Sequence, residues 1–252
     1  MIENEKNNIF GLLGRNISYS FSSGYFKEKF RKLHLKNHSY LNFDIQSCEH
    51  FPSIIALEKS LKGLNVTIPY KQEIIPFLDE LDETAKQIGA VNTIKFIGDN
   101  LLKGYNSDVV GFEKSIKSLL KNHHQKALIL GTGGASKAIA YALECLGIEV
   151  RFVSRKNHNK EIYKYEDLHT QDIKEHTIII NSTPLGTYPN TEDCPNIPYH
   201  AINEKHILFD LIYNPEETKF LKLGNKNRAT TINGFLMLEF QAEKAWSIWN
   251  LK

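Results

Sequence analysis

"KALILGTGGAS", residues 126–136, decides how the chain folds. Ala127 to Leu130 make an apolar run of the length a fully buried strand needs. Gly131, Gly133 and Gly134 follow at once, and "KAIAYALECLG" then reads as a helix that stops at Gly147, a natural C-cap. A strand that runs into glycines and out into a helix lets backbone pass close to a ligand, with the first helical N–H groups aimed at phosphate. A glycine turn alone also serves plain loop geometry. Here the strand before it, the helix after it and a further strand, "EVRFVSR" (149–155), favour dinucleotide binding. Ser136 stands where the third glycine of G-x-G-x-x-G would be, so the packing role of that glycine is relaxed.

The next strand bears on the choice of dinucleotide. An Asp or Glu at its end would hold the ribose 2′-OH of NAD. The strand ends instead on Ser154 and Arg155, and a guanidinium suits a 2′-phosphate through paired, charge-assisted hydrogen bonds. An exposed arginine at a strand end is the plain alternative. With the glycines beside it, NADP is favoured over NAD.

Working outward, "TIIINST" (177–183) and "HILFDLIY" (206–213) are further buried-strand candidates, and "GFLMLEFQAEKAWSIWN" is an amphipathic helix with Phe235, Leu238, Ala242, Ala245 and Trp249 on one face. Towards the N-terminus, "NNIFGLLG" (7–14), "YLNFDI" (40–45) and "GLNVTI" (63–68) read as strands. "GYFKEKFRKLHL" (24–35) and "SIIALEKSL" read as helices. "AVNTIKFIGDNLLKGYNSD" (90–108) reads as a hairpin about "GDN", followed by a helix from about Val109 to Leu120. The alternation argues for an α/β protein with largely parallel strands, and the change of texture places a boundary near residues 106–125.

Composition narrows the function classes. The chain has 252 residues, 41% of them hydrophobic and 24% charged, which suits one large or two modest globular domains. Its 31 Lys and Arg against 29 Asp and Glu leave a formal charge of +2, no general case for nucleic acid or an anionic membrane. No apolar run is long enough to span a bilayer, and "MIENEKNNIFG" lacks the pattern of a signal peptide. Cys48, Cys145 and Cys194 are scattered, with no metal-site spacing, so reduced thiols, a cytoplasmic location and no metal are expected. His123 and His124 fall in the polar "LKNHHQKA" and read as a solvated linker.

"NVTIPYK" (65–71) poses a sharper question, because Lys71 follows a strand that Pro69 ends by withholding an N–H. On its own Lys71 is one cation among many. Its company changes that: "GAVNT" (89–93), "GYNSD" (104–108), "GTGGAS" (131–136), "NSTPLG" (181–186), "FDLIYNP" (209–215) and "NGFLMLEFQA" (233–242) occur in turn. This series resembles the shikimate dehydrogenase family over essentially the whole chain.

The resemblance implies a discontinuous substrate domain, residues 1–107 completed by a C-terminal helix at 233–252, and a Rossmann-like NADP domain at 108–232, with the active site in the cleft between them. It implies NADPH-dependent reduction of 3-dehydroshikimate to shikimate in aromatic amino-acid biosynthesis, by a monomer or homodimer. The catalytic pair becomes Lys71 and Asp108, with Asn92 and Asn106 near them and Thr67, Tyr213 and Gln241 beside the substrate. "GRNISYSFS" aligns Ser20 and Ser22 with two serines that hold the substrate carboxylate. Thr132, Ala135, Ser182, Thr183, Leu211 and Gly234 join the glycines, Ser154 and Arg155 as cofactor positions. Departures from the family pattern are Tyr19 for His, Asn16 and Ser23 for Pro, Asn233 for Asp and Leu236 for Gly. A quinate-type dehydrogenase of the same family and a non-catalytic NADP-binding regulator are the rival readings. A methylenetetrahydrofolate dehydrogenase pairs similar domains, but its folate signatures are missing.

Overall fold

The computed structural model describes residues 7–17, 20–98, 101–155 and 162–251, and the chain divides into two units: 1–107 with 242–252, and 108–241. Tyr19 and part of the "GDN" turn lie outside the described residues.

The first unit is built on a mixed six-stranded sheet. Its strands are β1 (Asn8–Gly14), β2 (His38–Asp44), β3 (Leu61–Val66), β4 (Glu80–Leu81), β5 (Thr93–Ile97) and β6 (Leu101–Tyr105), in the spatial order β2-β1-β3-β5-β6-β4. β1 pairs in parallel with β2 and β3, whereas β5 and β6 form the expected antiparallel hairpin. Alternate residues of β1 feed opposite faces. Leu13 enters a core with Leu64, Tyr70, Ile74 and Ile94, while Phe10 and Leu12 enter another with Phe26, Phe30, Tyr40 and Trp249. Phe26 and Phe30 come from α1 (Phe21–Lys32), whose last turn carries Lys29, Arg31 and Lys32 where the helix dipole favours cations.

The second unit carries six parallel strands. They are β7 (Lys126–Leu130), β8 (Glu149–Ser154), β9 (Ile162–Lys164), β10 (Ile178–Asn181), β11 (Ile207–Asp210) and β12 (Thr230–Ile232), ordered β12-β11-β10-β7-β8-β9. The sheet thus grows outward in both directions from β7, the doubly wound dinucleotide-binding order, with its switch point between β7 and β10. Leu128, Leu130, Ile179 and Leu208 are fully buried in its core. α4 (Asp108–Ile116) sets Phe112 edge-on against Phe209 of β11, their ring centroids 5.1 Å apart. β9, β12 and the helices α6 (Thr170–Glu175) and α7 (Lys219–Lys226) are too short to announce themselves in sequence.

Two expectations need correcting. His123 is exposed, as a solvated linker requires, but His124 is not. His124 is buried, its Nδ1 accepts the Lys121 N–H at 2.9 Å, and its Nε2 donates to the Lys205 carbonyl at 3.0 Å. A polar stretch can still be buried when each polar atom finds a partner. On α8 (Phe235–Trp249), Ala242, Ala245 and Trp249 are buried as periodicity predicts, but Phe235 is exposed, and Met237, Gln241 and Ile248 complete the covered surface.

Candidate active site and cofactor turn

In the first unit, the strand carrying "NVTIPYK" is clamped on both sides of the lysine. Ile68 is exposed, but Tyr70 is fully buried and donates its hydroxyl to the Ile45 carbonyl at 2.7 Å. The Lys71 carbonyl accepts the Val91 N–H at 2.7 Å. Backbone fixed on either side of a half-buried lysine gives its side chain a defined origin, which a solvated surface lysine lacks. Thr67, two residues after Asn65, is anchored by its N–H to the Leu13 carbonyl at 2.9 Å.

A buried polar chain runs through the same unit and joins residues that sequence had singled out separately. The Ser22 side chain lies beside the Tyr40 hydroxyl, which donates to Asn65 Oδ1 at 2.8 Å. Asn65 Nδ2 reaches the Asn92 carbonyl at 3.4 Å. Asn92 Oδ1 then accepts the Ser107 N–H at 2.7 Å and the hydroxyls of Thr93 and Ser107, each at 3.1 Å. Asn106 donates to the Ala90 carbonyl at 2.9 Å. Burial pushes the Tyr40 hydroxyl far above the usual tyrosine range, so it stays a neutral donor. Tyr40 and Thr93 are not legible as site-related, because hydroxyls on strands look like ordinary strand residues, and Ser107 lies in the short link between β6 and α4.

Ser20 and Ser22 separate in role. Ser20 is the N-cap of α1, its hydroxyl accepting the Ser23 N–H at 3.4 Å, while Ser22 is buried on the polar chain. Ser23 supplies a backbone donor that a proline would lack. Asn16 has φ 58°, which asparagine tolerates and proline cannot adopt. Its N–H and that of Ile17 both bond the Asp44 carboxylate, at 2.9 and 3.2 Å.

In the second unit, Asp108 opens α4 and is buried, a position where the helix dipole favours a carboxylate. Gln241 is buried on α8, with its backbone and Cβ lying close beside Gly111 of α4. Tyr213 is part exposed after β11, and burial of the remainder raises its hydroxyl above the usual range. Asn233 bridges to the Glu216 carbonyl through its amide N–H at 2.9 Å and accepts the Phe235 N–H at 3.1 Å. An aspartate there could accept but not donate. Nothing in the unit explains Leu236, which is exposed.

The glycine turn sits at the switch point. Gly131 has φ 111°, and a Cβ there would come within 2.8 Å of Ser182 Oγ, so glycine is required twice over. The Ser182 hydroxyl donates to the Leu130 carbonyl at 2.7 Å. Gly133 is the N-cap of α5 (Gly134–Cys145) and brings no side-chain acceptor to its N–H groups, with open space beside its Cα. Thr132 and Ala135 flank it, half-buried. A phosphate group fits such an open, uncapped helix start. Ser136 is buried and turns its hydroxyl onto the Gly133 carbonyl at 2.6 Å, so a serine replaces the third glycine without loosening the turn. Ser154 ends β8, and Arg155 next to it is exposed.

A doubly wound parallel sheet with a glycine turn and an uncapped helix at its switch point defines a dinucleotide-binding α/β protein. Comparison with known proteins narrows this. Residues 12–94 match the shikimate dehydrogenase substrate binding domain. A shikimate dehydrogenase (NADP(+)) of Methanosphaera stadtmanae is 39% identical, covering 97% of this chain and 92% of that protein. Among solved structures, shikimate dehydrogenase from Aquifex aeolicus superposes with TM-score 0.85 at 35% identity, covering 99% of this chain and 94% of that one. The Thermus thermophilus enzyme in complex with NADP(H) and shikimate superposes with TM-score 0.85 at 27% identity, covering 96% and 93%. The chain belongs to the shikimate dehydrogenase family.

Proposed function

We propose that this protein is an NADP-dependent shikimate dehydrogenase, which reversibly reduces 3-dehydroshikimate to shikimate on the route to chorismate and the aromatic amino acids. What carries this reading is similarity over 97% of the chain to an enzyme of that activity, with the glycine turn that NADP requires at the switch point. Residues 1–107 act as the substrate domain, completed by the C-terminal helix 233–252, and residues 108–232 as the NADP domain. The three cysteines are free thiols, in keeping with the cytoplasm, where we place it. Among the described residues no helix is long and apolar enough to cross a membrane.

When bound, the cofactor supplies the hydride that reaches the ketone carbon. Lys71 faces the developing charge on the ketone oxygen, stabilises it and delivers the proton. Asp108 is the carboxylate of the catalytic pair. Ser20 and Ser22 hold the substrate carboxylate, and Thr67, Asn92, Tyr213 and Gln241 fix the ring hydroxyls. On the cofactor side, Gly131, Thr132, Gly133, Gly134 and Ala135 cradle the pyrophosphate. Ser154 and Arg155 take the 2′-phosphate, and Ser182, Thr183, Leu211 and Gly234 complete the cofactor site.

The test is absorbance at the NADPH band during oxidation of shikimate with NADP, with quinate and NAD as controls. Growth of the band with shikimate and NADP is expected. Equal or greater rates with quinate would move the protein to the quinate-type branch, and tight NADPH binding without turnover on any ring acid would make it a regulator.

A further inference from the structure

Asp210, the last residue of β11, is fully buried. Burying a carboxylate costs several kcal/mol unless its oxygens are satisfied. Here they are. Oδ1 accepts the Asn181 amide and the Ile212 N–H, both at 3.0 Å, and Oδ2 accepts the Thr218 hydroxyl at 2.6 Å. Each donor belongs to a different element. Asn181 ends β10 in register with Asp210, Ile212 lies in the loop after β11, and Thr218 is the N-cap of α7.

The bonds extend outward from there. Asn181 Oδ1 accepts both the N–H and the hydroxyl of Thr183, at 3.1 and 2.6 Å, and its amide also reaches the Leu185 carbonyl at 3.2 Å. The Ile212 carbonyl accepts the Gly234 N–H at 3.0 Å, and a Cβ on Gly234 would come 2.1 Å from the Leu211 carbonyl oxygen. One carboxylate therefore ties together the three segments that bear Thr183, Leu211 and Gly234.

We propose that Asp210 is a positioning residue: its ionised carboxylate locks the loops after β10 and β11, with the segment at Gly234, into the arrangement that receives NADP. This rests on the assignment of Thr183, Leu211 and Gly234 to the cofactor. Asp210 does not touch the cofactor; it acts through the groups it holds. The groups packed against it are neutral: Asn181 from β10, the Ile212 amide, Thr218 from α7 and the Tyr199 hydroxyl. Burial pushes Asp210 up to about 6, opposed by its hydrogen bonds to Thr218, Ile212 and Asn181. Tyr199 is itself pushed far up by burial and stays neutral. Protonation of Asp210 puts a hydrogen where an acceptor is needed, so the three loops loosen as pH falls through that range.

The test is the Kd for NADPH, read by its fluorescence across pH 5 to 8, for wild type, Thr218→Val and Thr218→Ser. The 2′-phosphate titrates in the same range, so the displacement between variants is the readout. Thr218→Val removes a donor that keeps Asp210 ionised. The acidic rise in Kd is expected to start about one pH unit higher in this variant. Thr218→Ser keeps the hydroxyl and is expected to restore the wild-type profile. Asp210→Asn, if folded by circular dichroism, is expected to bind NADPH about ten-fold more weakly, with the displacement by Thr218→Val lost in its background. Identical profiles for Thr218→Val and wild type, or wild-type affinity in Asp210→Asn, would overturn the proposal. NADPH binding without ring-acid oxidation would sink the proposed activity alone. Absence of NADPH binding would sink both.

Discussion

The Tyr40 hydroxyl donates to Asn65 Oδ1 at 2.8 Å in the interior of the first unit. Through that bond a serine at the start of α1 and the asparagine of "GAVNT" become parts of one polar chain. Tyr40→Phe removes the donor and leaves Asn65 Oδ1 buried without it. Loss of about 1–3 kcal/mol of stability is expected, read by urea unfolding. Relaxed orientation of Ser22 should raise the KM for shikimate more than it lowers kcat. A variant as stable as wild type would mean that water replaces the hydroxyl.

Lys71 is held by backbone on both sides, so its replacement should leave the fold intact. Lys71→Ala is expected to lower kcat by roughly 10²- to 10⁴-fold, the range a positioned acid or base supplies, while the Kd for NADPH stays within two-fold of wild type (roughly, a few tenths of a kcal/mol). Loss of NADPH binding with normal turnover at saturation would remove Lys71 from the chemistry.

Arg155 is exposed at the end of β8, where its fold contribution is small. Arg155→Ala is expected to raise the KM for NADP about ten-fold or more, because charge-assisted pairs with phosphate contribute about 1.5–3 kcal/mol. The KM for NAD should barely change. Equal losses for both cofactors would exclude a 2′-phosphate contact.

Acid should destabilise the protein by way of buried and half-buried histidines. His124 and His176 in the second unit and His38 in the first are all held below the usual histidine range, chiefly by desolvation. The sign follows from proton uptake. A group with a lowered folded pKa binds protons more readily when unfolded, so stability is complete above about pH 6.5 and declines as pH falls below it. Urea midpoints at pH 7.5 and 5.5 should therefore differ, and His124→Gln should narrow the difference. A midpoint independent of pH over that window would contradict the assignment.

Gly131→Ala combines a left-handed φ of 111° with a Cβ only 2.8 Å from Ser182 Oγ. The strain and the displaced serine should lower the Tm and weaken NADPH binding together, with a cost of about 1–3 kcal/mol. Wild-type NADPH affinity in a folded variant would detach this turn from the cofactor.

Much of the fold was legible in sequence because β7, β10 and β11 are buried on both faces and therefore nearly all apolar, whereas β8 is only partly covered and carries Glu149 and Arg151. A glycine turn between a strand and a helix is likewise a local signal, and so is the hairpin of β5 and β6. β9, β12 and α7 escaped because they are short edge or surface elements stabilised by neighbours rather than by their own pattern. Phe235 escaped for a related reason: periodicity shows which residues share a helix face, not which part of that face is covered.

The order of motifs, the α/β class and the glycine turn could be read along the chain, since these depend on local geometry and residue type. What the polar residues between them do depends on how the chain packs. Asp210 looked like the end of one apolar strand and Asn181 like the end of another, a long way apart in the chain. Parallel register sets them side by side, and their burial obliges each polar atom to find a protein partner. The same demand buried His124, joined Ser22 to Asn92 through Tyr40, Asn65 and Thr93, and turned Ser136 onto Gly133. Hydrogen-bond satisfaction is a property of the packed interior, and no window of sequence contains it.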